Sequence, residues 1–217
     1  MDTADTDTTD TAATLRESIT PRRLNRLESI AKQRTRDLTV VLDGVSNQQN
    51  VSAITRSADA FGIMTIHLVS DAFSSTPGIS LGSERWVDVV TYQKREDAIA
   101  ALKKAGFSIV VLETDDKLTG GRGSIPVVEL PFKQKLAMVF GNEGKGVSPL
   151  FRENADYFAH IPMFGFVESL NVSVACAICL FCSTTSGGKS TRQVPALGQQ
   201  QSKDLFLEWL KKDRSRQ

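Results

Sequence analysis

The sequence has no apolar run of the roughly 18 residues that a membrane-spanning helix requires, and its longest apolar segment is Val172–Cys182. It has only three cysteines, Cys176, Cys179 and Cys182, which are too few and too closely spaced for a disulfide framework. Its first residues, four aspartates among threonines, have neither the basic start and apolar run of a secretory signal nor the arginines of a transit peptide. We therefore expect a cytoplasmic protein that is not integral to a membrane.

Charge is unevenly distributed, although the net charge is only +1. Residues 1–14 contain four acids and no base, which predicts a disordered acidic tail and leaves the remainder at about +5. Residues 15–36 are rich in Lys and Arg and predict a basic helical extension. Such a segment can bind phosphates, or it can be a solvated amphipathic helix with Leu24, Leu27 and Ile30 turned inward. The two interpretations are compatible.

Short apolar runs alternate with helical patterns downstream, which predicts an α/β fold with a mostly parallel sheet flanked by helices. The predicted strands are 38–42, 65–69, 86–91, 107–112, 136–140 and 157–161. The predicted helices run from Asn50, as N-cap, to Phe61, over 96–105, from Ser148 and Pro149 onward, over about 170–184 as a buried helix, and through Leu205, Phe206, Trp209 and Leu210. We divide the chain into the tail 1–14, the basic extension 15–36, a main domain 37–185, and a loop with an amphipathic helix at 186–217.

Two loops with possible chemistry follow predicted strands. Residues 140–148 include three glycines in six positions and enter a helix, so their backbone N–H groups can face a ligand. This loop fits neither a Walker A loop nor a Rossmann fingerprint. Residues 161–173 place Ser169 and Asn171 where a buried helix begins, and an N-cap with its neighbour is the simplest interpretation of that pair.

A third loop leads into the helix predicted from Asn50, where Arg56 lies about 200° around the helix from Ile54 and thus on the polar face. Taken alone, Arg56 is most simply a solvated charge. All three loops, however, come after strands, and the carboxyl edge of an open α/β sheet is where ligands bind. Their occurrence in one chain favours a ligand site at that edge.

The cysteines share a helical face, which raises the question of a metal site. A structural zinc site usually has four ligands, and neither His67 nor His160 has evident ligand spacing. We interpret the cysteines as small core residues and expect no metal.

Three motifs appear in order: NVSAITRSADAFG from Asn50, VFGNEGKG from Val139, and IPM followed by ESLNVSVA between residues 161 and 175. In this the sequence resembles the SpoU/TrmH family of RNA 2′-O-ribose methyltransferases, members of the SPOUT class. The resemblance covers about residues 20–185, and the helix near Trp209 is similar to the C-terminal helix of bacterial members. The similarity is greatest to the tRNA enzymes that methylate the D-loop guanosine at tRNA position 18, because the basic helix before Asp37 matches their opening.

The resemblance implies a C-terminal deep trefoil knot over about residues 136–184, a homodimer, and RNA rather than DNA as partner. It implies S-adenosylmethionine as methyl donor, bent in the knot loops and held by Thr114, Gly141, Gly146, Ile161 and Leu170. It also implies activation of the ribose hydroxyl by Arg56, with Asn50, Glu143, Ser169 and Asn171 positioning Arg56 and the loops. A guanidinium presents only donors and stays protonated, so we expect Arg56 to clamp the neighbouring phosphate and stabilise a developing alkoxide.

Two stretches differ from the tRNA enzymes, namely 46–49, which lacks their basic, proline-containing sequence, and 113–115. The sequence therefore leaves open ribosomal RNA as substrate, a non-catalytic RNA-binding SPOUT protein, and a protein that binds S-adenosylmethionine as an effector without RNA. It also leaves open that Glu143 simply anchors the glycine loop, and that motif-one residues serve the opposite subunit.

Overall fold

The computed structural model describes residues 19–70, 86–113, 120–184 and 192–214. The described residues form two compact units, one within residues 35–195 and the other made of residues 19–34 and 196–214. Within the described ranges, no helix is long and apolar enough to span a membrane.

The larger unit is built on a seven-stranded sheet in which every strand pair is parallel, in the order β3-β2-β1-β6-β4-β7-β5. The strands are β1 Leu38–Asp43, β2 Thr65–Val69, β3 Asp88–Tyr92, β4 Ser108–Leu112, β5 Ile125–Pro126, β6 Leu136–Gly141 and β7 Tyr157–His160. The predicted α/β class and parallel sheet are confirmed. The central strands β1 and β6 are almost wholly buried, as expected for strands covered on both faces.

The strand predictions differ from the structure by more than one residue at two places, both at the ends of the sheet. Strand β3 begins at Asp88 and not at residue 86, because it pairs only with β2, whose first residue Thr65 lies opposite Asp88. The strand β5 was not predicted, because two residues are too few for a strand pattern and one of them is Pro126, a residue that sheets tolerate at an edge.

Helices cover both faces of the sheet. They are α2 Gln48–Ala60, α3 Arg95–Lys104, α4 Pro149–Glu153 and α5 Val172–Cys182, with a 3-10 turn at Val127–Glu129. Helices α2 and α5 pack over Val40 and Leu42 of β1, and α3 and α4 pack on the opposite face with Val41. The alternation of side chains along β1 thus supplies both cores.

The start of α2 differs from the prediction in a way that matters for the site. Asn47, and not Asn50, is the N-cap, because its Oδ1 accepts hydrogen bonds from the backbone N–H of Gln49 at 2.9 Å and of Asn50 at 3.3 Å. Asn50 therefore lies inside the first turn, and it is buried. Its side chain is available for a long-range contact.

Helix α5 begins at Val172 and is capped by Asn171, whose Oδ1 accepts from the backbone N–H of Ser173 at 2.8 Å. The prediction of an N-cap at this position is confirmed. The prediction of a buried helix is confirmed for the face that holds Val172, Cys176, Cys179 and Leu180, whereas Val174 and Phe181 are about half exposed. An apolar helix sequence does not by itself show which of its faces are buried in the chain and which are exposed.

In the smaller unit, α1 Pro21–Ala31 packs on α6 Gln199–Arg214. The predicted apolar face of α6 is confirmed, since Leu205, Phe206, Trp209 and Leu210 are all buried. The guanidinium of Arg34 lies 5.1 Å from the centroid of the Trp209 ring, which partly compensates its burial. On α1, Leu27 is buried while Arg22 and Arg26 are exposed.

Candidate cofactor and active site

A cavity of about 390 Å³ opens at the carboxyl ends of β4, β6 and β7, against the start of α5. Four of the five residues expected to bind a cofactor line it: Gly141, Gly146, Ile161 and Leu170. Thr114, the fifth, lies outside the described residues. Of the five expected catalytic residues, Glu143, Ser169 and Asn171 line the cavity and Asn50 contacts two of them.

The glycine loop after β6 is held closed by its own hydrogen bonds. Asn142 and Gly146 exchange two backbone hydrogen bonds, at 3.1 and 2.8 Å. The Asn142 side chain accepts from the backbone N–H of Gly144 at 2.9 Å and of Lys145 at 3.3 Å, and it donates to the carbonyl of Gly44 at 3.1 Å. Asn142 is thus the residue that shapes the loop, a role that sequence reasoning missed although an Asn in a glycine-rich turn is a usual signal for it.

Two glycines of this loop are required by geometry. A Cβ on Gly141 would lie 2.1 Å from the carbonyl carbon of Gly146, so the backbone of the loop returns too closely for any side chain. Gly146 has a φ of +66°, a conformation that other residues rarely adopt. The close approach that the structure shows at Gly141 is between two parts of the loop itself.

The far end of the loop is tied to β1 by a buried carboxylate. Asp43 has a side chain only 1% exposed, and it accepts from the Nε of Arg95 at 2.7 Å and from the backbone N–H of Ser148 at 2.7 Å. A buried charge needs such partners. Asp43 follows the apolar run of residues 40–42 at the end of a buried strand, and this break in the pattern could have identified it.

Asn50, Glu143 and Asn171 form a hydrogen-bonded chain along the cavity wall. The Nδ2 of Asn50 donates to Oε1 of Glu143 at 2.5 Å, and the Nδ2 of Asn171 donates to Oδ1 of Asn50 at 3.1 Å. An ionised carboxylate only accepts, so Asn50 must present its amide nitrogen to Glu143 and its oxygen to Asn171. The oxygen of Asn171 then accepts from the backbone N–H and hydroxyl of Ser173.

Arg56 is the one expected catalytic residue that the structure does not bring to the cavity. It is exposed on α2, and it has no ion pair or side-chain hydrogen bond to any described residue. Six residues along a helix is a rotation of about 600°, so Arg56 points about 120° away from Asn50. The two side chains therefore leave α2 from different faces, and Arg56 does not line the cavity.

Two further cavity residues were not among the expected site residues. The carboxylate of Glu113, directly after β4, accepts from Nη2 of Arg152 at 3.1 Å. His160, at the end of β7, has its Nδ1 3.0 Å from the hydroxyl of Ser124. Glu113 lies in the stretch whose sequence departs from the tRNA enzymes, which was the available signal.

The three cysteines of α5 are buried free thiols. Burial raises the pKa of Cys176 well above its usual value, with the nearby Cys179 as a second cause, so it remains a neutral thiol at physiological pH. In the part of the chain that the structure describes, no group of three or more His, Cys, Asp or Glu is arranged to hold a metal ion. Core packing accounts for these cysteines.

A model of the SpoU rRNA methylase family matches residues 37–181. The chain belongs to this family. The match runs from the start of β1 almost to the end of α5, so it contains every strand and the whole cavity.

Curated SpoU methylases resemble this chain over much of its length. The tRNA (guanosine(18)-2′-O)-methyltransferase of Borreliella burgdorferi is 34% identical over 75% of this chain and 73% of the relative. The enzyme of that name from Thermus thermophilus is 33% identical over 89% of this chain and 98% of the relative. A 23S rRNA (guanosine-2′-O-)-methyltransferase of Coxiella burnetii is 35% identical over 71% of this chain and 61% of the relative.

Solved structures of SpoU methylases share the fold. The TrmH/SpoU tRNA modifying enzyme of Aquifex aeolicus superposes with a TM-score of 0.71 at 30% identity, covering 88% of this chain and 96% of that one. The SpoU methyltransferase AviRb of Streptomyces viridochromogenes, solved with the cofactor AdoMet, superposes with a TM-score of 0.56 at 25% identity, covering 70% and 60%.

Proposed function

We propose that this chain is an S-adenosylmethionine-dependent tRNA (guanosine-2′-O-)-methyltransferase that modifies the D-loop guanosine at tRNA position 18. The observation that carries the proposal is the cavity at the carboxyl edge of the sheet, whose wall consists largely of the second and third family motifs. The tRNA substrate is favoured because relatives with that name align with up to 98% of their own length.

The cavity fits a nucleoside cofactor of this kind. Its volume of about 390 Å³ lies in the range of small-molecule sites. Apolar side chains at its wall, among them Leu112, Ile161 and Leu170, suit a purine, while the glycine loop offers close backbone approach. We assign cofactor binding to Gly141, Gly146, Ile161 and Leu170, and to Thr114 by the family resemblance. S-adenosylmethionine supplies, when bound, an electrophilic sulfonium methyl group, so the reaction does not call for a metal.

The chain's own task is to hold and polarise a weakly acidic ribose hydroxyl. Arg56 has five N–H donors and no acceptor, so we assign it to clamping the phosphate beside the target ribose and stabilising the developing alkoxide. The proton then passes to the phosphate or to water. Asn50, Glu143 and Asn171 act as positioning residues, through the hydrogen bonds that tie α2, the glycine loop and α5 together. We assign Ser169, which lines the cavity, to the same role by the family resemblance.

We propose further that the protein works as a homodimer and that Arg56 acts in the cavity of the partner subunit. Two observations support this. Arg56 does not line the cavity of its own chain. Beside that cavity, Phe164 and Phe166 are fully exposed and Val167 largely so, and an apolar surface of this kind is typical of an interface.

The finer features of the fold belong to the same proposal. We infer a trefoil knot over residues 136–184 within a methyltransferase domain of residues 37–185. The sheet order supports it, because β6 lies between β1 and β4, although β4 precedes it in the chain. The exposed Arg22 and Arg26 of α1 support a role in binding tRNA phosphates. We place the protein in the cytoplasm, with no membrane and no DNA as partner.

The test is transfer of labelled methyl from S-adenosylmethionine to unmodified tRNA transcripts, with a 2′-deoxy substitution at the D-loop guanosine as control. We expect transfer to the full transcript and none to the substituted one, since the missing hydroxyl is the acceptor. Transfer to ribosomal RNA alone would keep the reaction and replace the substrate, as the Coxiella burnetii relative's name suggests. No transfer to either RNA, with the cofactor bound, would show a non-catalytic protein.

A further inference from the structure

Glu113 places a carboxylate in the wall of the cavity, and that carboxylate is held in place. The residue comes directly after β4, and its side chain is 12% exposed. Its Oε2 accepts a hydrogen bond from Nη2 of Arg152 at 3.1 Å, where the Arg152 side chain is 16% exposed. A largely buried ion pair of this kind loses little freedom when a ligand arrives, so it can recognise a ligand group with defined geometry.

The backbone of Glu113 is already engaged on both sides. Its N–H donates to the carbonyl of Ala159 at 3.0 Å, and its carbonyl accepts from the hydroxyl of Ser124 at 3.1 Å. The side chain is therefore the part of Glu113 that we assign to a ligand. A carboxylate has about four acceptor positions, so it can accept hydrogen bonds from several donors at once.

Glu113 also lies at a particular end of the glycine loop. A Cβ built on Gly146 would lie 3.1 Å from Nη2 of Arg152 and 4.0 Å from Oε2 of Glu113. At the other end of the loop, Glu143 contacts Asn50. The Glu113 carboxylate thus lies at the Gly146 end of the cavity. The hydrogen-bonded side chains of Asn50, Glu143 and Asn171 lie at the other end.

We propose that the Glu113 carboxylate, held by Arg152, accepts hydrogen bonds from the two ribose hydroxyls of the bound nucleoside cofactor. The inference rests on the proposed function, since it presumes a nucleoside ligand in this cavity. Arg152 neutralises the charge of Glu113, so the pair attracts a cation such as an ammonium group only weakly. Two neighbouring hydroxyls, which are neutral donors, match the acceptors of one carboxylate, and an acidic residue at the carboxyl edge of a parallel sheet binds ribose in dinucleotide folds too.

The experiment measures binding, without RNA and without turnover. S-adenosylhomocysteine, the demethylated cofactor, is titrated by calorimetry into wild type, Glu113→Gln and the matched control Glu153→Gln. Glu153 is an exposed carboxylate next to Arg152, so its substitution makes the same chemical change outside the cavity. We expect Glu113→Gln to weaken binding about 10- to 100-fold and Glu153→Gln to leave it unchanged, given the usual strength of hydrogen bonds to charged groups.

The ligand is then changed in place of the protein, by using the 2′-deoxy and 3′-deoxy analogues of S-adenosylhomocysteine. Wild type should bind each analogue more weakly than the parent ligand, and Glu113→Gln should discriminate much less between them. Equal discrimination by wild type and Glu113→Gln would overturn the proposal, because the hydroxyls would then be recognised elsewhere. Loss of binding on removal of the ligand's amino group, in wild type but not in Glu113→Gln, would also overturn it and assign Glu113 to the ammonium.

A second variant, Glu113→Asp, shows whether a loss of binding in Glu113→Gln comes from a folding defect. Glu113→Asp keeps the charge that faces Arg152 but withdraws it by one methylene, so it should fold as wild type does and bind with an intermediate loss. Binding equal to wild type in a folded Glu113→Asp and in a folded Glu113→Gln would overturn the inference. Failure of the wild-type chain to bind S-adenosylhomocysteine at all would overturn the proposed function as well, so the two failures are distinguishable.

Discussion

Asn50 donates a hydrogen bond to Glu143 although 93 residues separate them in the chain. Because the carboxylate can only accept, this contact fixes the orientation of the Asn50 amide, and the second contact, from Asn171, fixes that of the next amide. Glu143 thereby determines which atom donates in each of the hydrogen bonds that link α2, the glycine loop and α5. A substitution of Glu143 that removes the hydrogen-bond acceptor should therefore affect activity differently from one that removes only the negative charge.

We therefore expect Glu143→Gln to retain methyl transfer within about tenfold of wild type, since the glutamine oxygen can still accept from Asn50. Glu143→Ala should lose about a hundredfold, because it leaves the buried Asn50 amide without an acceptor, at a cost of about 1–3 kcal/mol. Single-turnover transfer to tRNA and thermal unfolding measure both effects, with Glu153→Ala as an exposed control. A Glu143→Gln variant as inactive as Glu143→Ala would show that the charge acts in the chemistry.

We expect substitutions of Arg56 to lower turnover but to leave stability almost unchanged, because Arg56 is exposed and makes no ion pair or side-chain hydrogen bond with a described residue. We expect Arg56→Lys to lower turnover about a hundredfold or more, since an ammonium lacks the planar fork, with Tm unchanged. Near-full turnover of Arg56→Lys with unchanged RNA affinity would contradict the bidentate role.

Subunit mixing tests where Arg56 acts. A protein carrying Arg56→Ala is mixed with one carrying Leu170→Trp, which fills the cavity, and the dimers are allowed to exchange. If Arg56 serves the partner's cavity, half of the random dimers hold one complete site, and activity should recover to about a quarter of wild type. No recovery, with exchange shown by a mass tag, would mean that Arg56 acts on its own chain.

Much of this architecture could be predicted from local patterns, and the exceptions have physical causes. Strand β6 and residues 40–42 of β1 form apolar runs because both faces of the sheet are covered there, and the sequence of α6 is amphipathic because one of its faces is exposed. The capping role of Asn47 was assigned to Asn50, since two asparagines close together offer the same local chemistry. Only the long-range contact with Glu143 separates them, and no local pattern contains that contact.

In the candidate site, too, local motifs predict some residues, whereas others depend on long-range contacts. Gly141, Gly146, Ile161 and Leu170 were predicted from the motifs that carry the family resemblance, and all four line the cavity. Asp43 and Arg152 act through partners more than 35 residues away in the chain, so their roles depend on the fold and not on neighbouring residues.

The exposed phenylalanines should be required for association and not for folding. Phe164 and Phe166 are fully exposed in the single chain, so their replacement removes no contact within it. We expect Phe166→Asp to shift the protein from dimer to monomer in sedimentation velocity, with Tm lowered only by the loss of association. Val128→Asp, at an exposed apolar residue on the 3-10 turn, serves as the comparison. An unchanged sedimentation coefficient for Phe166→Asp would place the interface elsewhere.

Two glycines of the same loop should respond differently to alanine. At Gly141 the new Cβ would lie 2.1 Å from the Gly146 carbonyl carbon, whereas at Gly144 the nearest atom would be the Asn142 Oδ1 at 3.4 Å. We expect Gly141→Ala to abolish S-adenosylhomocysteine binding and to lower Tm, because the loop backbone must move. Gly144→Ala should bind within a few-fold of wild type. Similar binding by both variants would mean that the loop is not closed as described.

His67 should make stability depend on pH in the mildly acidic range. It is buried, with its ring stacked on Tyr92 at 5.7 Å, and burial lowers the pKa of His67 from 6.5 to about 4. Between these values the unfolded chain binds a proton that the folded chain does not, so stability falls as pH decreases from 6.5 towards 4, by at most about 3 kcal/mol. His67→Phe keeps the stacked ring without the proton site. Urea unfolding at pH 7, 6 and 5 should show a smaller loss for the variant than for wild type, and His160, present in both, cancels in the comparison. A constant stability difference between the two proteins across these pH values would show that His67 is not held neutral by its burial.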